Sequence, residues 1–372
     1  MWPCAPLFLW GFLLAQNSIS KSSNVAAATR IKRARGRAPA WIAISALCAL
    51  AAPARAAVQA AGSPAQAARA DRSASIEVTD ELGRTIEVPQ PVRRIVSLAP
   101  NLTETVYALD AGDRMVGDTN VDDFPAAAKA LPHVGAVLAP SLEQIVALRP
   151  DLVLATNDLN RRVTVEALAR MGLAVYVTDP LSIEDVLNST ARIARLIGAG
   201  ERGDSAVAEM RARLDALARR LANVPPRRVL FVVWTAPLIS VGKHTFLNEE
   251  LVRAGARSVV EIADSWPQIS FEYVLKLQPE YLVFAGSLSE AGAPPVEELA
   301  KLPGWRDLDA VRSGKIVVVS EAIDRPGPRM VDAIEELARL LHPEVFAPAA
   351  PAGSAMLIAP QSRTEVCTAC AR

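Results

Sequence analysis

The chain has 372 residues, 40 Lys and Arg against 40 Asp and Glu, 51% hydrophobic residues and four cysteines. That length accommodates two medium-sized domains. The charge is unevenly spread: residues 1–56 hold seven bases (Lys21, Arg30, Lys32, Arg33, Arg35, Arg37 and Arg55) and no acid. The rest has 33 bases against 40 acids, a net charge of −7, which excludes the basic surface that a nucleic-acid binder needs.

The basic head reads as an export signal. Arg30 to Arg37 form a positively charged region, residues 38–50 an apolar stretch too short to span a bilayer, and Ala54-Arg55-Ala56 a small-residue cleavage site. The expectation is removal of residues 1–56 and a mature chain that begins at Ala57 in the periplasm, with residues 1–29 upstream of the true start. Lipidation at Cys48 ranks second, because Leu47 stands where a small residue is needed. Cys4 and Cys48 leave with the signal, and Cys367 and Cys370 fall in a Pro/Ala-rich tail from residue 347, expected to be disordered. A C-x-x-C there reads more readily as a local disulfide, or as having no role, than as a redox or metal site.

In chain order, residues 57–73 form a flexible leader, and residues 75–88 alternate apolar and polar as a hairpin with Gly83 in its turn. Then follow a strand at 95–98, a helix at 102–108 capped by Asn101 with Glu104 in its first turn, and a strand at 115–117. The alternation continues with a helix at 141–148, a strand at 152–155, a helix at 162–170, a strand at 175–177 and a helix at 183–197. Residues 201–223 carry one apolar stripe, Val207, Met210, Leu214, Leu217 and Leu221, and make a helix roughly 35 Å long at about 1.5 Å per residue, stopped by Pro225 and Pro226. Strands at 229–233, 281–284 and 316–319 then alternate with helices at 247–254, 271–277, within 295–302, and at 329–342. Short apolar strands between helices predict an α/β fold with parallel sheets covered on both faces. The expected division is a leader and hairpin at 57–92, a first lobe at 93–200, a linking helix at 201–224 and a second lobe at 225–346.

Two segments are versions of one phrase: SLEQIVALRPDLVLA at 141–155 and SFEYVLKLQPEYLVF at 270–284. Each has a Ser, a Glu two positions on, a short helix, a Leu-x-Pro stop, an acid and a strand. The same unit built twice implies the same lobe built twice, with a cleft for a small molecule between them. Glu143 and Glu272 then occupy matching first turns, where a helix dipole favours a carboxylate, and a matched pair suits a partner that is itself two-fold. Routine capping copied by duplication is the plainer account of the same pair.

Catalytic signatures are lacking. G-x-G-x-x-G at 198–203 follows a helix rather than a strand and reads as a helix–helix turn. His133, His244 and His342 are far apart and do not read as a metal cage. Ligands of open α/β sheets bind beyond the strand ends. From those segments Asn101, Phe124, Trp234, Lys243, Trp266, Gln268, Glu321 and Arg325 are the candidate ligand-binding residues. Trp266 either stacks on a planar ligand or packs its own loop. Asp324, Arg325 and Arg329 either contact a ligand or stand as solvated charge at a helix start.

Residues 93–345 resemble the helical-backbone periplasmic binding proteins of ABC importers, the iron-siderophore, haem and cobalamin group. The segments DELGRTIEVP, RIVSLAPNLTETVYAL, GDRMVG and SLEQIVALRPDLVL carry the likeness, and SVGKHTFLNEEL with DSWPQISFEYVLKLQPE point to the cobalamin-binding branch. The resemblance implies two Rossmann-like lobes joined by a single long backbone helix, a monomer, and a permease dimer as partner, docked through Glu143 and Glu272. It implies a corrinoid ligand with Trp266 and Arg325 on the cleft walls, and no cofactor, metal or catalysis. The chain departs from the pattern at Val121, Val137 and Thr156, where aromatics are expected, with Phe124 the aromatic nearby. Haem, which needs a His or Tyr ligand, and a ferric siderophore, which favours an arginine cluster such as Arg325 and Arg329, remain alternatives. An enzyme or chelatase using the same cleft, and an extracellular interaction module, are the readings of other classes.

Overall fold

Runs of Val, Ile and Leu buried on both faces set the architecture, since a strand covered on both sides needs no polar alternation. The computed structural model describes residues 74–286 and 296–347. The export signal, the leader and the tail with Cys367 and Cys370 lie outside the described residues. The chain opens with a hairpin of β1 (Ala74–Thr79) and β2 (Thr85–Gln90), turned at Gly83, whose φ of +76° suits glycine.

The first lobe follows as β3 (Ile95–Ser97), α1 (Pro100–Ala108), β4 (Met115–Gly117), a small hairpin of β5 (Gly135–Ala136) and β6 (Ala139–Pro140), α2 (Leu142–Ala147), β7 (Leu152–Thr156), α3 (Arg162–Arg170) and β8 (Val175–Thr178). Its sheet runs β4-β3-β7-β8, all parallel, with Ile95 opposite Leu152 and Val153 opposite Val175. Helices α4 (Ile183–Leu196) and α5 (Gly200–Leu221) then leave this lobe.

The second lobe is β9 (Arg227–Thr235), β10 (Leu238–Ser240), α6 (Phe246–Arg253), β11 (Ala256–Ser258), α7 (Phe271–Leu277), β12 (Tyr281–Ala285), α8 (Val296–Leu299), α9 (Asp309–Arg312), β13 (Ile316–Val319), α10 (Met330–Leu341) and α11 (Pro343–Phe346). Long β9 pairs in parallel with β12, which pairs in parallel with β13. Its other edge takes β11 in parallel at its start and β10 antiparallel at its end. The strands at 115–117 and 316–319 and the helices at 162–170 and 271–277 have the expected bounds. Strands β10 and β11 were not expected: each is three residues long, and β11 carries an exposed Arg257 at its centre.

The lobes share an apolar joint. Met210, Leu214, Leu217 and Leu221 of α5 are buried in one cluster with Ile183, Val186 and Leu187 of α4, Phe231 of β9, Leu251 of α6 and Leu337 of α10; Val207 is partly buried at its margin. The helix–helix turn expected at 198–203 is shorter, residues 197–199, because α5 already begins at Gly200. Gly198 has φ +74°, and a Cβ on Gly203 would stand 2.2 Å from that of Ala194, so α4 and α5 touch through a glycine. Polar ties reinforce the joint: Glu249 accepts from the Ile183 amide at 2.9 Å, and Arg213 of α5 bonds Asp332 at 2.6 Å and Glu335 at 3.1 Å.

Leu214→Ala removes a buried side chain from the joint and is expected to destabilise the protein by about 2–5 kcal/mol, read as a lower urea midpoint. Val207→Ala, at the margin, costs less in the same assay.

Candidate functional site

The residues that meet between the lobes sit at strand ends, where the backbone leaves the sheet for a helix. Helix α1 starts earlier than expected. Pro100 takes its first position, with the extended Ala99 (φ −157°) as cap residue and no side-chain cap bond. Asn101 is therefore not the cap. Its side chain is free to cross to the second lobe, where Nδ2 donates to the Pro326 carbonyl at 3.1 Å. A Cβ on Gly327 would lie 3.2 Å from the Asn101 carbonyl oxygen, a tight contact that the two lobes would have to ease apart to accept. Glu104 likewise lies beyond the first turn of α1, because the helix starts two residues earlier than expected.

Glu104 is the centre of an ionic cluster. Its Oε1 accepts from Arg325 at 2.8 Å and from Arg329 at 3.0 Å, both from the second lobe. Arg325 also donates to Asp123 at 2.7 Å, and Arg329 to Glu321 at 3.4 Å. The Arg329 guanidinium lies 3.8 Å from the centre of the Phe124 ring, a cation–π contact. Burial raises the Glu104 carboxyl above its usual range, although both arginines pull it back. Burial also works against ionisation of Asp123, but the Arg325 hydrogen bond and charge prevail and hold it low. Arg325 is buried at 9% exposure; burial disfavours its charge, and Asp123 and Glu104 more than restore it.

Of the candidate ligand-binding residues, Asn101, Phe124, Glu321 and Arg325 converge here. Trp234, Lys243, Trp266 and Gln268 form a second group around β10. The loop after β10 and the segment 262–268 run together: the Ser240 amide donates to Pro267, that of Gly242 to Ser265 and that of Lys243 to Ile262. Lys243 and Gln268 are exposed, and the Trp234 Nε1 donates to the Ala236 carbonyl at 2.8 Å. Trp266 is half-buried against the second-lobe core, so it packs its own loop while keeping part of its surface open. Val137 and Thr156, at the positions where aromatics were expected, are buried. Asn160 holds both, donating to the Val137 carbonyl and accepting from the Thr156 amide.

Sequence reasoning missed Glu104 and Asp123. The signal was the acid-rich, aromatic-ended run Asp122-Asp123-Phe124 facing two arginines spaced i, i+4 at 325 and 329. Two buried acids nearby also have shifted titration. Asp118, 2.7 Å from His133 Nδ1, is pushed up to about 6, mainly by burial. Glu250 of α6, beneath the turn at 321–324, is fully buried with neither oxygen hydrogen-bonded; burial, then the Asp324 and Glu249 charges, raise it well above its ordinary 4.5.

The repeated phrase is repeated in three dimensions. Ser141 and Ser270 cap α2 and α7 through the amides of Gln144 and Tyr273 at 3.3 and 3.2 Å. Glu143 and Glu272 stand exposed in the first turns, and neither makes an ion pair among the described residues. Both phrases turn the chain before proline through a non-glycine residue of positive φ, Arg149 (47°) and Gln278 (44°). Asp151 accepts from the amides of Arg93 and Arg94, and Glu280 from that of Arg228. The side chains of Arg94 and Arg228 return the contact, donating to carbonyls at the ends of α2 and α7. The twin Arg-Arg pairs at 93–94 and 227–228 were its unread sequence signal.

Two lobes of mainly parallel sheet, a single long helix packed against both and a polar seam between strand ends frame the site. The periplasmic binding protein family model matches residues 95–322, and the chain belongs to that family. It is 30% identical over 280 residues, 73% of this chain and 87% of the relative, to the uncharacterized ABC transporter substrate-binding lipoprotein YvrC of Bacillus subtilis. It is 31% identical over 204 residues, 54% of this chain and 72% of the relative, to the vitamin B12-binding protein of Yersinia pestis. The apo form of the periplasmic haem-binding protein RhuT from Roseiflexus sp. RS-1 superimposes with a TM-score of 0.63 at 25% identity, covering 68% of this chain and 99% of that one. The chain is thus a substrate-binding component of an ABC importer, a class that works with a membrane permease. Among the described residues no helix is long and apolar enough to cross a membrane, and no group of His, Cys, Asp and Glu has the arrangement of a metal site.

Glu250→Gln tests the buried acid. Because the folded-state value is raised, Glu250 costs stability as pH rises above about 4.5, by up to about 1.4 kcal/mol per unit while the native carboxyl keeps its proton. The variant is expected to gain stability over the parent between pH 5 and pH 8, read as a growing difference in urea midpoints.

Proposed function

We propose that the protein captures cobalamin or a related corrinoid between its lobes and delivers it to a permease dimer, with no chemistry of its own. The observation that carries this reading is the charge of the seam. Two guanidiniums there face three carboxylates, Glu104, Asp123 and Glu321. Even with Glu104 protonated the cluster is neutral. Haem brings propionates and ferric catecholates bring a high negative charge, and both need surplus cation; a corrinoid fringed with amides is neutral or cationic and needs hydrogen bonds and flat apolar surface. Trp266, Trp234 and Phe124 supply such surface. Haem is the second reading, favoured by the likeness to RhuT.

Docking is assigned to Glu143 and Glu272. Exposed, unpaired carboxylates on matching helices suit basic residues on two equal subunits, and such contacts govern approach and register.

Calorimetric titration of residues 57–346 with cyanocobalamin, haemin and a ferric siderophore tests the ligand. Tight one-to-one binding of cyanocobalamin is expected, and haemin binding alone would replace the reading. Trp266→Ala is expected to weaken corrinoid binding roughly tenfold, as loss of an aromatic stacking face does; unchanged affinity removes Trp266 from the site. The double variant Glu143→Ala/Glu272→Ala is expected to keep its ligand affinity while uptake in cells is abolished, and normal uptake would overturn the docking role.

A further inference from the structure

We infer that Glu104 determines the charge selectivity of the cleft, by holding Arg325 and Arg329 across the lobes and withdrawing both guanidiniums from any anionic ligand. The inference rests on the reading of the cleft as the ligand site, and it names the residue that sets which ligands are refused.

The geometry is specific. One oxygen, Oε1, accepts from both arginines, at 2.8 and 3.0 Å. Glu104 sits on α1 with a side chain 1% exposed, so it cannot swing away to leave the arginines open. The arginines come from a short run after β13, and each is held a second time: Arg325 by half-exposed Asp123, through the same nitrogen that reaches Glu104, and Arg329 by Glu321, through its other terminal nitrogen, and by the Phe124 ring. An arginine pair at i, i+4 would otherwise be a ready receptor for carboxylates, since a planar guanidinium accepts them in bidentate fashion. Here an anionic ligand must compete with carboxylates that are already in place. The second Glu104 oxygen, Oε2, is buried with no hydrogen-bond partner among the described residues, so every hydrogen bond this carboxylate accepts there comes from the two arginines through Oε1. A neutral ligand meets no such competition. Glutamine at 104 has the same shape and keeps an acceptor, so it removes the charge without removing the side chain.

Ligand pairs of nearly equal size and different charge provide the test. Cyanocobalamin is compared with its monocarboxylic acids, in which one peripheral amide has become a carboxylate, and haemin with its dimethyl ester. For the parent protein the neutral member of the pair is expected to bind at least tenfold more tightly. Glu104→Gln is expected to lower that preference about tenfold, and Glu104→Gln/Asp123→Asn to lower it further. Asp123→Asn alone, at a half-exposed position that tolerates asparagine, is expected to shift the ratio the same way by less. A preference unchanged by Glu104→Gln and by Asp123→Asn, in whichever scaffold binds, overturns the role of Glu104. Binding of the haemin pair without the cobalamin pair overturns the corrinoid reading, yet the ratio still judges Glu104. Failure of both scaffolds to bind the parent protein overturns both proposals together.

Discussion

The apolar stripe of α5 is the constraint on which the rest depends. Four of its residues are buried in a cluster that takes side chains from the last helix of the first lobe and from β9, α6 and α10 of the second. Two lobes linked by extended strands could turn freely about a few bonds. Two lobes whose cores meet along a helix roughly 33 Å long can turn only as far as that packing allows, because close-packed interiors resist deformation. Everything at the seam presupposes this stiffness. Ion pairs between residues more than two hundred positions apart form at hydrogen-bond distance because the joint has already brought the lobes into register.

The seam itself is costly in stability. Burying a charge is expensive, and a buried ion pair often recovers little beyond its own desolvation. The cluster around Glu104 is not an efficient way to hold two lobes together when an apolar contact would do so at less cost. Its partners have a further property in common: each of the arginines meets two carboxylates, and one of them also meets an aromatic face. Such arrangements restrict the direction of a guanidinium.

The fold was largely legible because its signals are local. Uninterrupted Val, Ile and Leu runs, serine caps and the single stripe of α5 each occupy one short window of sequence. The failures were equally physical. Strand β11, Ala-Arg-Ser, has no apolar pattern and exists because β9 offers it an open edge. Asn101 looked like a cap because residues of its type usually are; Pro100 takes the first helical position, and tertiary contact gave the asparagine a different partner. Glu104 looked like an ordinary first-turn acid, and its real partners lie 221 and 225 residues away. No window of sequence contains that pair. The matched clamps of Arg94 with Asp151 and Arg228 with Glu280 were visible in principle, as twin arginines just before β3 and at the start of β9.

Those clamps have a mechanical consequence. Each ties the end of the helix bearing an exposed glutamate to the start of the strand at the centre of the same lobe, through a carboxylate in one direction and a guanidinium in the other. The helix cannot shift without its sheet. The backbone at Glu143 and at Glu272 is therefore tied to the sheet of its own lobe, and rotation of one lobe against the other changes the span between the two helix starts. If the proposed docking holds, the pair would act as the two points of a caliper, giving a partner that touches both a measure of lobe angle without any contact with the cleft.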